Sequence, residues 1–237
     1  LLCIVAIVAI RITRHFDIKG ANKLTYLMIC SSFLMISDAF AWWFRGNPSQ
    51  TGFYIVRISN YAAFLFGFLI MPLAAEYISY IIRKRSGIEG LYWKYIEWGL
   101  AIIGFVLITV NTFRPFMYDF DPRNTYFRLQ LGMIPGLIAF IGIIITLGVV
   151  IEYISYLNKF EKVALILFLV LPIAGVTVQI FIYGVSLAYL ALVISSLLLF
   201  ISYINNYTQY NIEKEKRLTE ERLRLVTQQI QPHFIFN

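Results

Sequence analysis

The 237-residue chain is 59% hydrophobic and only 14% charged, with a mean hydropathy of +0.73, a balance that excludes a water-soluble globular domain and marks an integral membrane protein. Its net charge of +7 comes from short basic clusters between apolar runs, so lipid headgroups and topology account for it and nucleic acid is set aside as a direct partner. Cys3 and Cys30 both lie in apolar segments, without metal-ligand or disulfide spacing.

Seven apolar runs are separated by polar punctuation, at 1–12, 24–44, 53–82, 93–113, 129–157, 163–183 and 185–207. The expected fold is an all-α bundle of seven transmembrane helices, because a lone strand in lipid leaves its backbone unpaired and nothing here alternates as a barrel would. Run 1–12 rises only about 18 Å as a helix, short of the roughly 30 Å hydrocarbon core, and is read as a clipped first span. Pro72, Pro135 and Pro172 fall inside spans, where a bundle tolerates a kink.

The connections alternate in charge. Arg11, Arg14, Lys19 and Lys23 fill the first, Arg83, Lys84 and Arg85 the third, and Lys159 and Lys162 the fifth. The positive-inside tendency then places the N-terminus outside and the C-terminus in the cytoplasm, as expected of a multi-pass protein of a bacterial plasma membrane. Spans three and five end alike in Glu-Tyr-Ile-Ser-Tyr, at 76–80 and 152–156, read as a shared interfacial composition rather than an internal repeat.

Charges inside the membrane are costly unless paired or facing a cavity. Asp38 lies about 9 Å before the outer end of span two and Arg57 about 6 Å into span three, so an ion pair between them is expected. The pair either fastens the two spans, the plainer reading, or joins Asn60, Gln179, Trp42 and Trp43 in a ligand pocket that opens outward. Glu76, Glu97 and Glu152 fall near inner helix ends, where snorkelling would bring them to Lys94 and the 83–85 cluster. The external connection 114–128 mixes aromatic residues with both signs of charge; it reads as interfacial, with a lid or ligand contact as the alternative.

After residue 207 the composition turns polar, with no glycine or proline before Pro232, so span seven is expected to continue as a cytoplasmic signalling helix over 208–231. Glu213 with Arg217 and Glu220 with Arg224 offer acid-first i,i+4 pairs. Ile204, Asn211, Leu218 and Leu225 recur every seven residues as a thin seam for a partner helix, and a homodimer is expected. Pro232 should bend or break the helix just before His233.

The final residues, Gln228-Gln229-Ile230-Gln231-Pro232-His233-Phe234-Ile235-Phe236-Asn237, resemble the phosphoacceptor box of the LytS-type sensor histidine kinases, Gln-Ile-x-Pro-His-Phe-Leu-Phe-Asn, with Ile235 at the usual leucine. The resemblance covers about the last ten residues. It implies that His233 accepts the γ-phosphoryl group of ATP, bound with Mg²⁺, and passes it to an aspartate of a response regulator, commonly one with a LytTR domain. Neutral imidazole is nucleophilic near pH 7 and its phosphoramidate is labile, which suits a relay. Asn237, Phe234 and Phe236 match supporting positions. Residues 232–237 would begin the phosphotransfer region, with the family's ATP-binding domain expected after Asn237. The alternative is a multi-span transporter or receptor that signals through a docked partner, with His233 incidental.

Overall fold

The computed structural model describes residues 2–89, 91–181 and 186–235, with side chains described for all of these but 180, 181 and 229–235. The helices are α1 (Leu2–Thr13), α2 (Ile18–Trp43), α3 (Gln50–Ser86), α4 (Trp93–Phe113), α5 (Ile134–Glu152), α6 (Lys159–Phe181) and α7 (Leu187–Ile235). A hairpin of β1 (Tyr118–Phe120) and β2 (Tyr126–Arg128) joins α4 to α5. Six helices, α2 to α7, are long and apolar enough to cross a membrane. The seventh expected span is represented by α1, whose 12 residues are too few to cross.

Local chemistry sets the helix ends. Asp17 caps α2 by accepting from the Gly20 amide at 3.0 Å, and Ser49 caps α3 by accepting from the Gly52 amide at 3.0 Å. Gly87 ends α3 in the left-handed region, at φ 72°, which only glycine adopts without cost. Pro135 stands in the first turn of α5, not inside the span as its run suggested, and there its missing N–H leaves no hydrogen bond unmade. The two Glu-Tyr-Ile-Ser-Tyr segments differ: the first lies inside α3, whereas the second ends α5 at Glu152 and passes into a 3-10 turn, Ile154–Tyr156. Shared composition, not a repeated fold, explains them.

The bundle centres on α2 and α3, with α4 against α3, α7 against α6 and α2, and α1 in the angle between α2 and α7. Leu24, Leu27 and Met28 of α2 meet Ile78 and Ile82 of α3 in one buried core, which continues through Phe168 of α6. In lipid such packing rests on close contact rather than water exclusion, so small residues appear where backbones approach. A Cβ on Gly104 would stand 2.6 Å from the Phe68 ring, and one on Gly175 would stand 2.9 Å from the Leu187 carbonyl, so these glycines set the α3–α4 and α6–α7 separations. From Thr208 onward nearly every described residue of α7 is exposed.

Candidate functional site

At one end of the bundle, the six polar and aromatic residues expected to share one pocket do not gather: Asp38, Trp42 and Gln179 meet at one place, Arg57 lies at another, and Asn60 and Trp43 join neither. Asp38 does not pair with Arg57. Ser186 Oγ donates to Asp38 Oδ1 at 2.8 Å, and Trp42 Nε1 donates to Ser186 Oγ at 3.2 Å. Gln179 Oε1 accepts from the Ala188 amide at 3.3 Å. Asp38, Trp42 and Gln179 therefore gather at the first turn of α7. Position along a helix leaves rotation about its axis open, and α2 turns this face to α7.

Arg57 points instead to the hairpin. Its Nη1 donates to Asn124 Oδ1 at 2.7 Å and to the Phe53 carbonyl at 3.2 Å, and its guanidinium lies 3.5 Å from the centre of the Phe53 ring and 4.6 Å from that of Phe120. No carboxylate among the described residues lies within ion-pair distance of it. Beside it opens a cleft of about 280 Å³ lined by Asn47, Phe53, Phe120, Asp121 and Asn124. Asn60 bonds back to its own helix at Val56, and Trp43 is 85% exposed, so neither joins the cleft.

The hairpin that closes this cleft is built from within. Asn111, buried at the end of α4, accepts from the amides of Phe116 and Met117 at 2.9 and 2.8 Å and donates to the Tyr118 carbonyl at 3.0 Å. Tyr118 stacks on Phe64 with ring centres 5.0 Å apart, and burial pushes its phenol up to about 12. At the tip, Asn124 takes φ 58°, a conformation asparagine tolerates, and donates to the Asn47 carbonyl at 3.3 Å. Sequence reading missed Ser186 and Asn124. The signals present were a serine immediately before an apolar helical run and an Asp-Pro-Arg-Asn turn.

At the opposite end, α7 leaves the bundle through two clamps. Glu161, 2% exposed, accepts from Arg85 Nη2 and from Asn206 Nδ2, each at 2.8 Å, while Asn158 Nδ2 donates to Asn206 Oδ1 at 2.7 Å. On the other side Phe16 lies against three rings of α7, with centres 6.2 Å from Tyr203, 5.9 Å from Tyr207 and 4.9 Å from Tyr210. Lys84 stands over Phe16 at 4.8 Å and pairs with Asp17 at 2.7 Å, and Tyr80 donates to Asp17 at 2.5 Å.

The three glutamates expected near inner helix ends divide. Glu76 pairs with Lys94 as expected, at 3.2 Å, and also with Lys23 at 2.5 Å. Glu97 does not snorkel: it is 1% exposed and accepts from Thr146 of α5 at 3.0 Å, in space left by Gly142, whose Cβ would lie 2.7 Å from the carboxylate. Glu152 is exposed at the end of α5.

Helical backbone runs without a break from Leu187 to Ile235, through Pro232, where a bend or break was expected. The expected pairs Glu213–Arg217 and Glu220–Arg224 are not formed; Lys216 and Glu220 approach to 4.0 Å instead. The side chain of His233, together with Phe236 and Asn237, lies outside the described residues. No protein-family model matches the chain, and no curated protein or solved structure does.

Proposed function

We propose that the chain is the membrane sensor and signalling helix of a two-component histidine kinase. A cue reaching the outer end of the bundle shifts α7 and so sets whether His233 meets the ATP-binding domain. The observation that carries this reading is the single helix Leu187–Ile235, which holds both the turn beside Asp38 and the position of the histidine in the phosphoacceptor-like box. A continuous helix transmits tilt, rotation or piston movement that a flexible linker dissipates. In the phosphorylation step an imidazole nitrogen of His233 forms a bond to the γ-phosphorus of Mg²⁺-bound ATP as ADP leaves, and the phosphoryl group then passes to a response-regulator aspartate.

The Arg57 cleft and the Asp38 cluster are the contacts we assign to the cue, the first fitting a carboxylate or other anion because its guanidinium has no carboxylate partner. A ligand shifts α7 only by binding one bundle state better than the other. Ile212, Leu218, Leu223 and Leu225 are exposed on α7, each between 46% and 63%, and a second copy of the chain covers them in the proposed dimer. The test is phosphotransfer from γ-labelled ATP in full-length protein. Wild type should take up acid-labile label and His233→Gln none; label retained in the variant refutes the assignment.

A further inference from the structure

Lys23 of α2, Arg83 of α3 and Lys94 of α4 line a cleft of about 180 Å³ at the end of the bundle from which α7 emerges. Among the described residues Glu76 is the one carboxylate lining it, held by Lys23 and Lys94, which leaves three cations against one anion. Arg83 is exposed and has no carboxylate within ion-pair distance among the described residues.

Ser79 lines the same cleft. It is 7% exposed and its hydroxyl has no hydrogen-bond partner among the described residues, a state that buried polar groups rarely keep. A phosphate oxygen among these cations would accept from it. Tyr80, Tyr92 and Tyr95 complete the wall, the residue type that sits at the headgroup level of a bilayer. From the cleft an exposed stripe, Tyr92 before α4 and Tyr95, Ile96, Ile103 and Val106 on it, runs along the bundle, a surface for acyl chains.

We propose that this cleft binds the phosphate headgroup of an anionic lipid, with Arg83 and Lys94 on the phosphate oxygens, Ser79 donating a hydrogen bond, and the acyl chains along α4. A soluble phosphate would use the same polar groups, but the cleft is walled by tyrosines and adjoins the lipid-facing stripe of α4, where a lipid headgroup is at hand. The inference rests on the chain lying in a membrane and stands independently of the kinase reading.

The test is native mass spectrometry of the delipidated full chain in non-ionic detergent, titrated with phosphatidylglycerol, with phosphatidylcholine of the same acyl chains, or with inorganic phosphate. Phosphatidylglycerol should be retained about tenfold more than phosphatidylcholine, since basic residues near an anionic headgroup each favour it. Arg83→Gln, which changes an exposed side chain, and Ser79→Ala should each lower that retention several-fold, while Arg11→Gln, an equal loss of charge on α1, should leave it unchanged. Equal retention of the two lipids overturns the proposal, as does an equal loss in Arg11→Gln, which would mark nonspecific attraction. Inorganic phosphate that binds alone and displaces phosphatidylglycerol would identify a soluble anion as the ligand and also overturn it.

Discussion

Asn206 of α7 donates to the same oxygen of Glu161 that carries Arg85, so one buried carboxylate joins α3, α6 and α7 where the last helix leaves the bundle. Removing the amide in Asn206→Leu should weaken this junction by about 1.5–3 kcal/mol, the range for hydrogen bonds to charged groups. Amide exchange in α7 around Asn206 should accelerate. Glu161→Gln, which also releases Arg85, should accelerate it further, and equal exchange in all three proteins would show that the junction does not hold α7.

Asn124 holds the hairpin tip through a left-handed backbone and its contacts with Arg57 and Asn47. Asn124→Gly keeps the backbone conformation and loses the side-chain bonds, whereas Asn124→Val loses both. The valine protein should be less stable than the glycine protein by about 1–2 kcal/mol, the cost of the left-handed region for an L side chain. Thermal unfolding in micelles would measure the difference.

Gly104 admits the Phe68 ring between α3 and α4. Gly104→Ala should destabilise the bundle by about 1–3 kcal/mol, as overpacking does. Gly99→Ala, on the same helix but with nothing within 4 Å of its added Cβ, is the comparison and should be near neutral.

Burial pushes the Asp17 carboxyl up, but the hydrogen bonds from Lys84, Tyr80 and the Gly20 amide outweigh it and hold the group below its ordinary value. A carboxyl lowered by folding contributes stability in full above its unfolded value, about 3.9, and loses it as the pH falls through the lowered folded value. Melting temperatures of wild type and Asp17→Asn should therefore differ most at neutral pH and converge below about pH 4. A constant difference across that window would remove Asp17 from the acid response.

Two glycines inserted after Asn211 interrupt α7 beyond both clamps. In full-length protein the proposed kinase should then keep its phosphorylation at His233 but lose its dependence on the cue. A variant that still follows the cue would rule out transmission through a rigid helix.

Much of this architecture is legible in the chain. Run 93–113 matches α4 (Trp93–Phe113) in full because aromatic and charged residues bound an uninterrupted apolar stretch. Helix membership is readable as well, since Asp38, Arg57 and Glu97 lie in α2, α3 and α4 as expected. Azimuth is not. The same residues bond to Ser186, Asn124 and Thr146, partners chosen by helix rotation and by a hairpin whose three-residue strands are too short to announce themselves. Lys23 on Glu76 was likewise hidden, because 53 residues separate them and only the packing of α2 on α3 brings them together.

The clamp at Asn206 also divides α7 unequally. Taking 1.5 Å per residue, the part from Leu187 to Asn206 is about 29 Å long and the part from Asn206 to Ile235 about 44 Å. A rigid tilt about that fulcrum makes the helix a lever with arms of roughly two to three. A displacement of about 1 Å beside Asp38 then emerges, reversed in direction, as about 1.5 Å near His233, so the geometry amplifies rather than merely relays a shift at the first turn of α7.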